Sequence, residues 1–339
     1  MTLLKRRALL GAIAAAPLFS LRSAWAQTTT LKISHQFPGG TISEGDFRDR
    51  LCRQFASNVE KRTKGSLKFE IYPGSSLMKT NAQFSSMRKG ALDLSLVPLS
   101  YAGGELPEVN IGLMPGLVTS YEQGYSWKTA EIGKELTKFL LEKGIVLVSW
   151  IWQAGGVASR TVPIVEPEDA KGLKIRGGSR EMDLILKAAG AAVVSLPSNE
   201  IYAAMQTGAM DAALTSSTSL ISFRLEEVSK SLTTGRGRAY WFMFEPLMMS
   251  REIFNKLSKE HQSAIMDAGA EAEVFAREAA KADDNLVATV YQKKGAKVAD
   301  LSEATVKKWQ ALARTTAWKD YGDKSENCAK LLKLAQQTL

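Results

Sequence analysis

The stretch MRKGALDLSL at 87–96 returns as MQTGAMDAAL at 205–214, with Met, Gly, Ala, Asp and Leu in the same register. In each copy an apolar-periodic segment stops at a glycine, and a short apolar run starts near the aspartate. That is a helix closed by a C′ glycine and followed by a strand. The surroundings repeat in the same order. Leu31-Lys32-Ile33-Ser34 recurs as Leu173-Lys174-Ile175-Arg176. In the first half a strand over 31–36 leads to a helix from Glu44 to Lys64, ended by Gly65. A strand from Leu67 to Tyr72 then stops at Pro73. In the second half the strand is 173–176, the helix 179–189 with its stop at Gly190, and the next strand Ala192 to Leu196 before Pro197. Helical periods separating short apolar runs are the α/β signature. The expected architecture is α/β, two βαβαβ lobes facing each other across a groove.

Length and composition agree. The chain has 339 residues, 45% of them hydrophobic and 23% charged, which suits roughly two globular domains. Two Cys and two His exclude a disulfide scaffold and make a histidine-built metal centre unexpected. No cofactor or metal is expected. Cys52 and Cys328 read as two buried thiols or a disulfide, with nothing in their positions to show them adjacent.

The first 26 residues read as an address. Lys5-Arg6-Arg7 precede a twelve-residue apolar run, Ala8 to Phe19, and Ala24-Trp25-Ala26 forms a cleavage site before Gln27. The paired arginines permit a twin-arginine signal as well as a general secretory one. Cleavage removes four bases and no acid, taking the formal charge from +9 to +5. No basic block with interleaved aromatics stands out, so nucleic acid is not an expected partner. A soluble periplasmic protein is expected, as a monomer. Lobe I is placed at 27–150 plus 242–282, and lobe II at 151–241 plus 283–339.

Open α/β sheets bind ligands beyond the carboxyl ends of their strands. In lobe I that rule selects Ser34 to Phe37, including His35 and Phe37, then Pro73 to Ser76, then Pro98 to Tyr101, including Ser100 and Tyr101. In lobe II it selects Arg176-Gly177-Gly178 and the run Thr215, Ser216, Ser217, Thr218. Arg176 is the sharpest candidate. It ends a strand, where the other half has Ser34, and two glycines follow it. A guanidinium there offers a carboxylate two parallel charge-assisted bonds. An internal ion pair or plain solvation is the alternative. Trp150, Trp152, Trp241 and Phe242 lie on the two segments that connect the lobes, either walling the site or packing the junction. His261 reads as exposed helix. Arg236 to Phe244 reads as a strand crossing between lobes. A long helical pattern from Ser250 to Lys294 breaks between Ser258 and His261, and Glu303–Ala313 and Lys324–Gln337 read as further helices. No nucleophile elbow, zincin motif, P-loop or dinucleotide fingerprint is present. An enzyme is therefore not expected.

Over residues 28 to 335 the chain resembles the solute-receptor subunits of TRAP transporters, the DctP-type extracytoplasmic receptors. The resemblance is carried by Ile33-Ser34-His35, KRTKGSLKFEIYPGSSL (61–77), MRKGALDLSLVP (87–98), PEDAKGLKIR (167–176) and LPSNEIYAAMQTGAMDAAL (196–214). It implies the two-lobed periplasmic-binding-protein type of fold, its βαβαβ lobes joined by hinge strands and a long helix, in a receptor that closes on a carboxylate solute and delivers it to a small and a large membrane subunit driven by sodium. It also implies that the arginine of GLKIR, here Arg176, pairs with that carboxylate. Trp152 and Gln153 enter as ligand candidates in the stretch Trp152 to Val157, where many members carry a second arginine. Here that arginine is missing, and Arg160 comes three residues late. Thr215-Ser216 replace the usual Asn-Pro. One lost cation and added rings point to a monocarboxylate with an apolar or aromatic body, such as an aromatic 2-oxo acid. A receptor serving a membrane sensor, or an enzyme on the same fold, is the alternative. Export of the full chain from a bacterium should yield a mature protein beginning at Gln27. Intact-mass measurement reads this, and an uncleaved mass would contradict it.

Overall fold

A computed structural model describes residues 28–236 and 238–339; the export segment lies outside them. Each half of the repeat builds the same unit. In the first, β1 (Thr29–His35), α1 (Phe47–Arg62), β2 (Leu67–Tyr72), α2 (Gln83–Arg88) and β3 (Leu94–Leu96) place β1 between β2 and β3, all parallel. Helices α3 (Tyr121–Ser126) and α4 (Glu131–Glu142) lead to β4 (Ile145–Ser149), and β5 (Trp152–Ser159) then carries the chain into the second half. There β6 (Lys174–Arg176), α5 (Arg180–Ala188), β7 (Ala192–Val194), α6 (Ile201–Gln206) and β8 (Ala212–Ser216) place β6 between β7 and β8, again parallel. The equivalence seen in the sequence is thus an equivalence of topology.

The chain crosses between lobes on neighbouring strands. After α7 (Ser217–Ser222) and β9 (Ser231–Thr234), β10 (Phe242–Phe244) pairs antiparallel with β5, and β11 (Leu247–Ser250) pairs antiparallel with β3 and β4. Trp150-Ile151 and Glu245-Pro246 are the two crossings, tied by the Glu245 N–H donating to Ile151 O at 2.9 Å. Phe242–Phe244, placed with lobe I by the expected boundary, is hydrogen-bonded to β5 of the second sheet. The anticipated strand from Arg236 is only three residues long, 242–244. Before it, Tyr240 stacks on Trp309 at 4.6 Å, so ring packing takes the place of a ladder.

Helix α8 (Arg251–Lys256) ends at Leu257, and α9 (Lys259–Lys293) starts where the Ser258 hydroxyl accepts from the His261 N–H at 3.2 Å. The break in the long pattern is therefore a serine N-cap. At 35 residues, α9 runs on the order of 50 Å, enough to pass behind both lobes. Strand β12 (Lys297–Asp300) then pairs with β9, completing the second sheet. Helices α10 (Glu303–Ala313), α11 (Lys319–Gly322) and α12 (Glu326–Gln336) close the chain, with a π-helical turn at Arg314–Trp318 that the sequence does not announce. They bridge the lobes: Tyr321 donates to Glu108 O at 2.7 Å, and Trp309 Nε1 to Val165 O at 2.8 Å. Cys52 and Cys328 are both free and buried.

One contact fixes how closely α9 approaches the first sheet. A Cβ on Gly269 would sit 2.2 Å from Val148 O, so only glycine fits there. Ser149 Oγ donates to Gly269 O at 2.7 Å across the same seam. Gly269→Ala should cost about 1–3 kcal/mol by overpacking, measured by chemical denaturation. An unchanged midpoint would contradict this packing.

Candidate functional site

Arg176 ends β6, which lies beside the terminal strand β7 of the second sheet, and its side chain turns back over the glycines that follow. A Cβ on Gly178 would meet Arg176 Nη1 at 2.6 Å, and Gly178 has φ +95°. Both facts demand glycine. Arg176 as a residue is 4% exposed. Its Nε donates to Leu196 O at 3.0 Å, Nη1 to Leu214 O at 2.7 Å and Nη2 to the Tyr101 hydroxyl at 2.9 Å. All three acceptors are neutral, and no ion pair among the described residues includes Arg176. Of the five N–H bonds of a guanidinium, two therefore remain to be met. Burial pushes the Asp183 carboxyl up to about 6, while the Arg176 charge pulls it down. A buried cation lacking a counter-charge is costly. Asp183 feels the Arg176 charge without making an ion pair to it.

Tyr101 comes from lobe I and also accepts from the Ser198 N–H at 2.9 Å. Beside it Ser100 Oγ donates to Gly178 O at 3.3 Å, Thr80 Oγ1 to Asn199 Oδ1 at 3.3 Å, and Asn110 Nδ2 to Glu181 Oε1 at 3.1 Å. The two lobes thus touch along the rim of the cleft. Outside these contacts lies a groove of about 510 Å³ lined by Asn81, Asn110, Asp183 and Glu200.

The floor is the pair β5 and β10. Side chains alternate across a strand, and register sorts the candidates. Phe244 faces Trp152 and Phe242 faces Ala154, while Met243 pairs with Gln153 on the other face. On the first face Trp152 packs on Trp127 and Phe244, each at 5.1 Å, and Phe242 on Tyr121 at 5.0 Å. These rings fill the lobe junction. On the other face Gln153 Nε2 donates to Glu245 Oε2. The Trp241 ring covers Gly155, whose added Cβ would lie 2.1 Å from it.

Arg48 joins this floor to both lobes. It is fully buried and donates to both oxygens of Asp46, at 2.9 and 2.7 Å, with Glu245 Oε2 at 3.3 Å. It also reaches Ser219 Oγ at 3.0 Å and Ser216 Oγ at 3.4 Å in α7 and β8. Its guanidinium lies 3.6 Å over the Phe37 ring. Burial pushes the Glu245 carboxyl up to about 7, against the pull of Arg48.

Of the residues singled out in the sequence, Arg176, Tyr101 and Ser100 meet at the rim. Phe37, Gln153 and Ser216 meet around Arg48 and Glu245, and Trp241 and Thr215 border them at Gly155. His35 is held by Asp49 at 3.1 Å, and Ser217 donates to Asp284 at 2.6 Å. Gln36, inside the selected run Ser34 to Phe37, is buried with neither amide atom partnered. Two buried polar residues escaped the sequence reading. Arg48 and Glu245 acquire their meaning only by tertiary pairing. Gln153 Oε1 and Glu245 Oε1 are likewise buried without partners. Buried polar atoms left unmet in a native fold call for an occupant. Arg48→Ala should cost about 3–5 kcal/mol by leaving Asp46 and Glu245 without their cation. Urea denaturation measures it, and a shift within error would contradict the network.

Comparison with known proteins adds to this geometry. The family profile described as bacterial extracellular solute-binding protein, family 7 (DctP) matches residues 39–324. A solute-binding protein of Albidiferax ferrireducens is 76% identical over 340 residues, 99% of this chain and 100% of the relative. The crystal structure of a TRAP periplasmic solute-binding protein from Rhodoferax ferrireducens, with bound malonate, is 78% identical with a TM-score of 0.90. That match covers 91% of this chain and 98% of the other. The 2,3-diketo-L-gulonate-binding periplasmic protein YiaO of Escherichia coli is 26% identical over 265 residues, 77% of this chain and 79% of the relative.

Proposed function

The chain belongs to the DctP family of bacterial extracellular solute-binding proteins, and from that premise we propose that it captures a small organic carboxylate in the periplasm and hands it to TRAP-type membrane subunits. One observation carries the carboxylate: a buried guanidinium at the interlobe cleft that only neutral groups satisfy. The periplasmic place is supported by the signal read in the first 26 residues and by the relatives' own descriptions. The membrane partners follow from the family.

The solute is a monocarboxylate. Arg48 already answers to Asp46 and Glu245, so its charge is spent. Arg160 lies past the far end of β5, in a separate groove with Tyr202 and Glu227. Among the described residues at the rim, Arg176 is the one we assign to the anionic group. Trp241 over Gly155 supports an apolar or aromatic body, as in an aromatic 2-oxo acid. The malonate bound by the Rhodoferax protein is a short dicarboxylate; it supports the small size of the acid and counts against a single carboxylate.

Mechanistically, the acid would bind β6 of one lobe while Tyr101 of the other closes over it. An acid that binds the closed form better draws the open–closed equilibrium there. Removing one partner of a buried charge pair costs about 2–5 kcal/mol. Arg176→Ala should therefore weaken binding at least about tenfold and leave the fold intact. Arg176→Lys should restore binding only in part, since an ammonium cannot copy the planar fork. Calorimetry over a panel of organic acids tests both claims. Monocarboxylates should bind, 2-oxo acids among them. Binding restricted to sugar acids or C4-dicarboxylates, or unchanged affinity in Arg176→Ala, would overturn the reading.

A further inference from the structure

We propose that the second sheet carries, at the strand ends opposite the cleft, a docking surface for an anionic phospholipid membrane. The inference goes beyond the solute reading and does not depend on Arg176.

Topology draws a line of charge along that edge. Strands β6, β8, β9 and β12 run one way and β5 runs against them. The starts of those four and the end of β5 therefore share one edge. Lys297 opens β12, Lys230 precedes β9, Arg160 follows β5 and Lys174 opens β6. Backbone bonds hold these positions side by side. The Lys297 N–H donates to Lys230 O at 2.9 Å, the Lys230 N–H to Ser159 O at 2.8 Å, the Arg160 N–H to Asp211 O at 2.9 Å and the Asp211 N–H to Lys174 O at 2.8 Å. In the order β12-β9-β5-β8-β6 the row crosses four strand steps, about 19 Å at ordinary spacing. Only β8 brings an acid, Asp211, which accepts from the Lys174 N–H at 2.8 Å.

The four cations are uncommitted. Lys174, Lys230 and Lys297 are exposed and Arg160 is half-buried. None of their side chains has a hydrogen bond or ion pair among the described residues. Acids nearby are answered by other bases. Glu227 is held by Arg224 and by the Tyr202 hydroxyl at 3.1 Å, and Lys294 acts on both Glu226 and Glu227. Lys171 offsets Glu168 on the turn before β6, where its N–H donates to Glu168 O at 3.2 Å. The Arg160 guanidinium rests against Gly208, whose added Cβ would lie 3.0 Å from Nη1, so this charge is positioned. Arg160 and Lys230 line a groove of about 510 Å³ with Tyr202 and Ser229, with room for a phosphate group.

A line of single charges at strand spacing suits a surface of many singly charged groups better than one multivalent ligand. Anionic phospholipid is such a surface, and each Lys or Arg close to it strengthens binding about fivefold. Val162, two residues past Arg160, is 56% exposed. It sets an apolar side chain beside the charges, the pairing by which interfacial segments hold a membrane. Arg176 stands at the carboxyl end of β6 and Lys174 at its start, so a docked membrane leaves the cleft open.

The test is co-sedimentation of the exported protein with vesicles of phosphatidylcholine alone, and of phosphatidylcholine with one-third phosphatidylglycerol, at low salt. Wild type should bind only the second kind and be released by about 0.5 M salt. Arg160→Gln/Lys174→Gln/Lys230→Gln should bind at least about tenfold more weakly. A control of equal charge on lobe I, Lys61→Gln/Lys68→Gln/Lys89→Gln, should lose less than about threefold, since exposed charges far from the contact are screened. Thermal unfolding checks that both are folded. Lys230→Glu alone, a change at one exposed side chain, should still weaken binding at least about fivefold. Equal losses in the row and the control, an unaffected Lys230→Glu, or no binding of wild type to the anionic vesicles overturns the surface. Retention on immobilised poly-L-glutamate without vesicle binding gives the row to an acidic protein and overturns the lipid.

Discussion

The structure depends on a positive charge buried without a negative one. Arg176 is placed by β6, bent back by Gly177-Gly178, and steadied by two carbonyls and one hydroxyl. Those dipoles orient the fork but cannot neutralise it. Most buried arginines in native folds are paired, and Arg48 in this same chain is paired twice over. The contrast separates the two: Arg48 is tied into the architecture by ion pairs, and Arg176, bonded to neutral groups alone, is the one we propose for the solute.

The floor of the cleft follows from the crossings. Two antiparallel strand pairs carry the chain between sheets, and alternation divides their side chains cleanly. One face becomes an aromatic plug that fastens the junction. The other carries Gln153, bonded to Glu245, with Trp241 over Gly155, all of them buried. Short strands join the two sheets at this floor. At the rim the lobes meet through Tyr101, Ser100 and Thr80.

Much of this was legible in the chain. The repeat around Gly90 and Gly208 carries the topology, because glycine stops and proline breaks mark element ends by local sterics. Arg176 was visible because a strand end followed by Gly-Gly has a local signature. The aromatic candidates were harder. Trp152 and Trp241 look alike in sequence, and only the register of β5 against β10 shows that the first faces the junction and the second faces Gly155. Arg48 and Glu245 lie 197 positions apart. No local pattern joins residues at that separation, and burial, which gives Glu245 its chemistry, is a property of the assembled lobes. The π-helical turn at 314–318 likewise arises from packing at the C-terminus rather than from propensity.

The central claim is that the Arg176 guanidinium lacks a counter-charge because a solute brings one. A crystal structure of the protein with phenylpyruvate bound measures this directly. The account predicts both carboxylate oxygens within hydrogen-bond distance of Arg176, with Tyr101 closed over them. A carboxylate resting elsewhere in the molecule, or Arg176 turned to an acid of the chain, would contradict it.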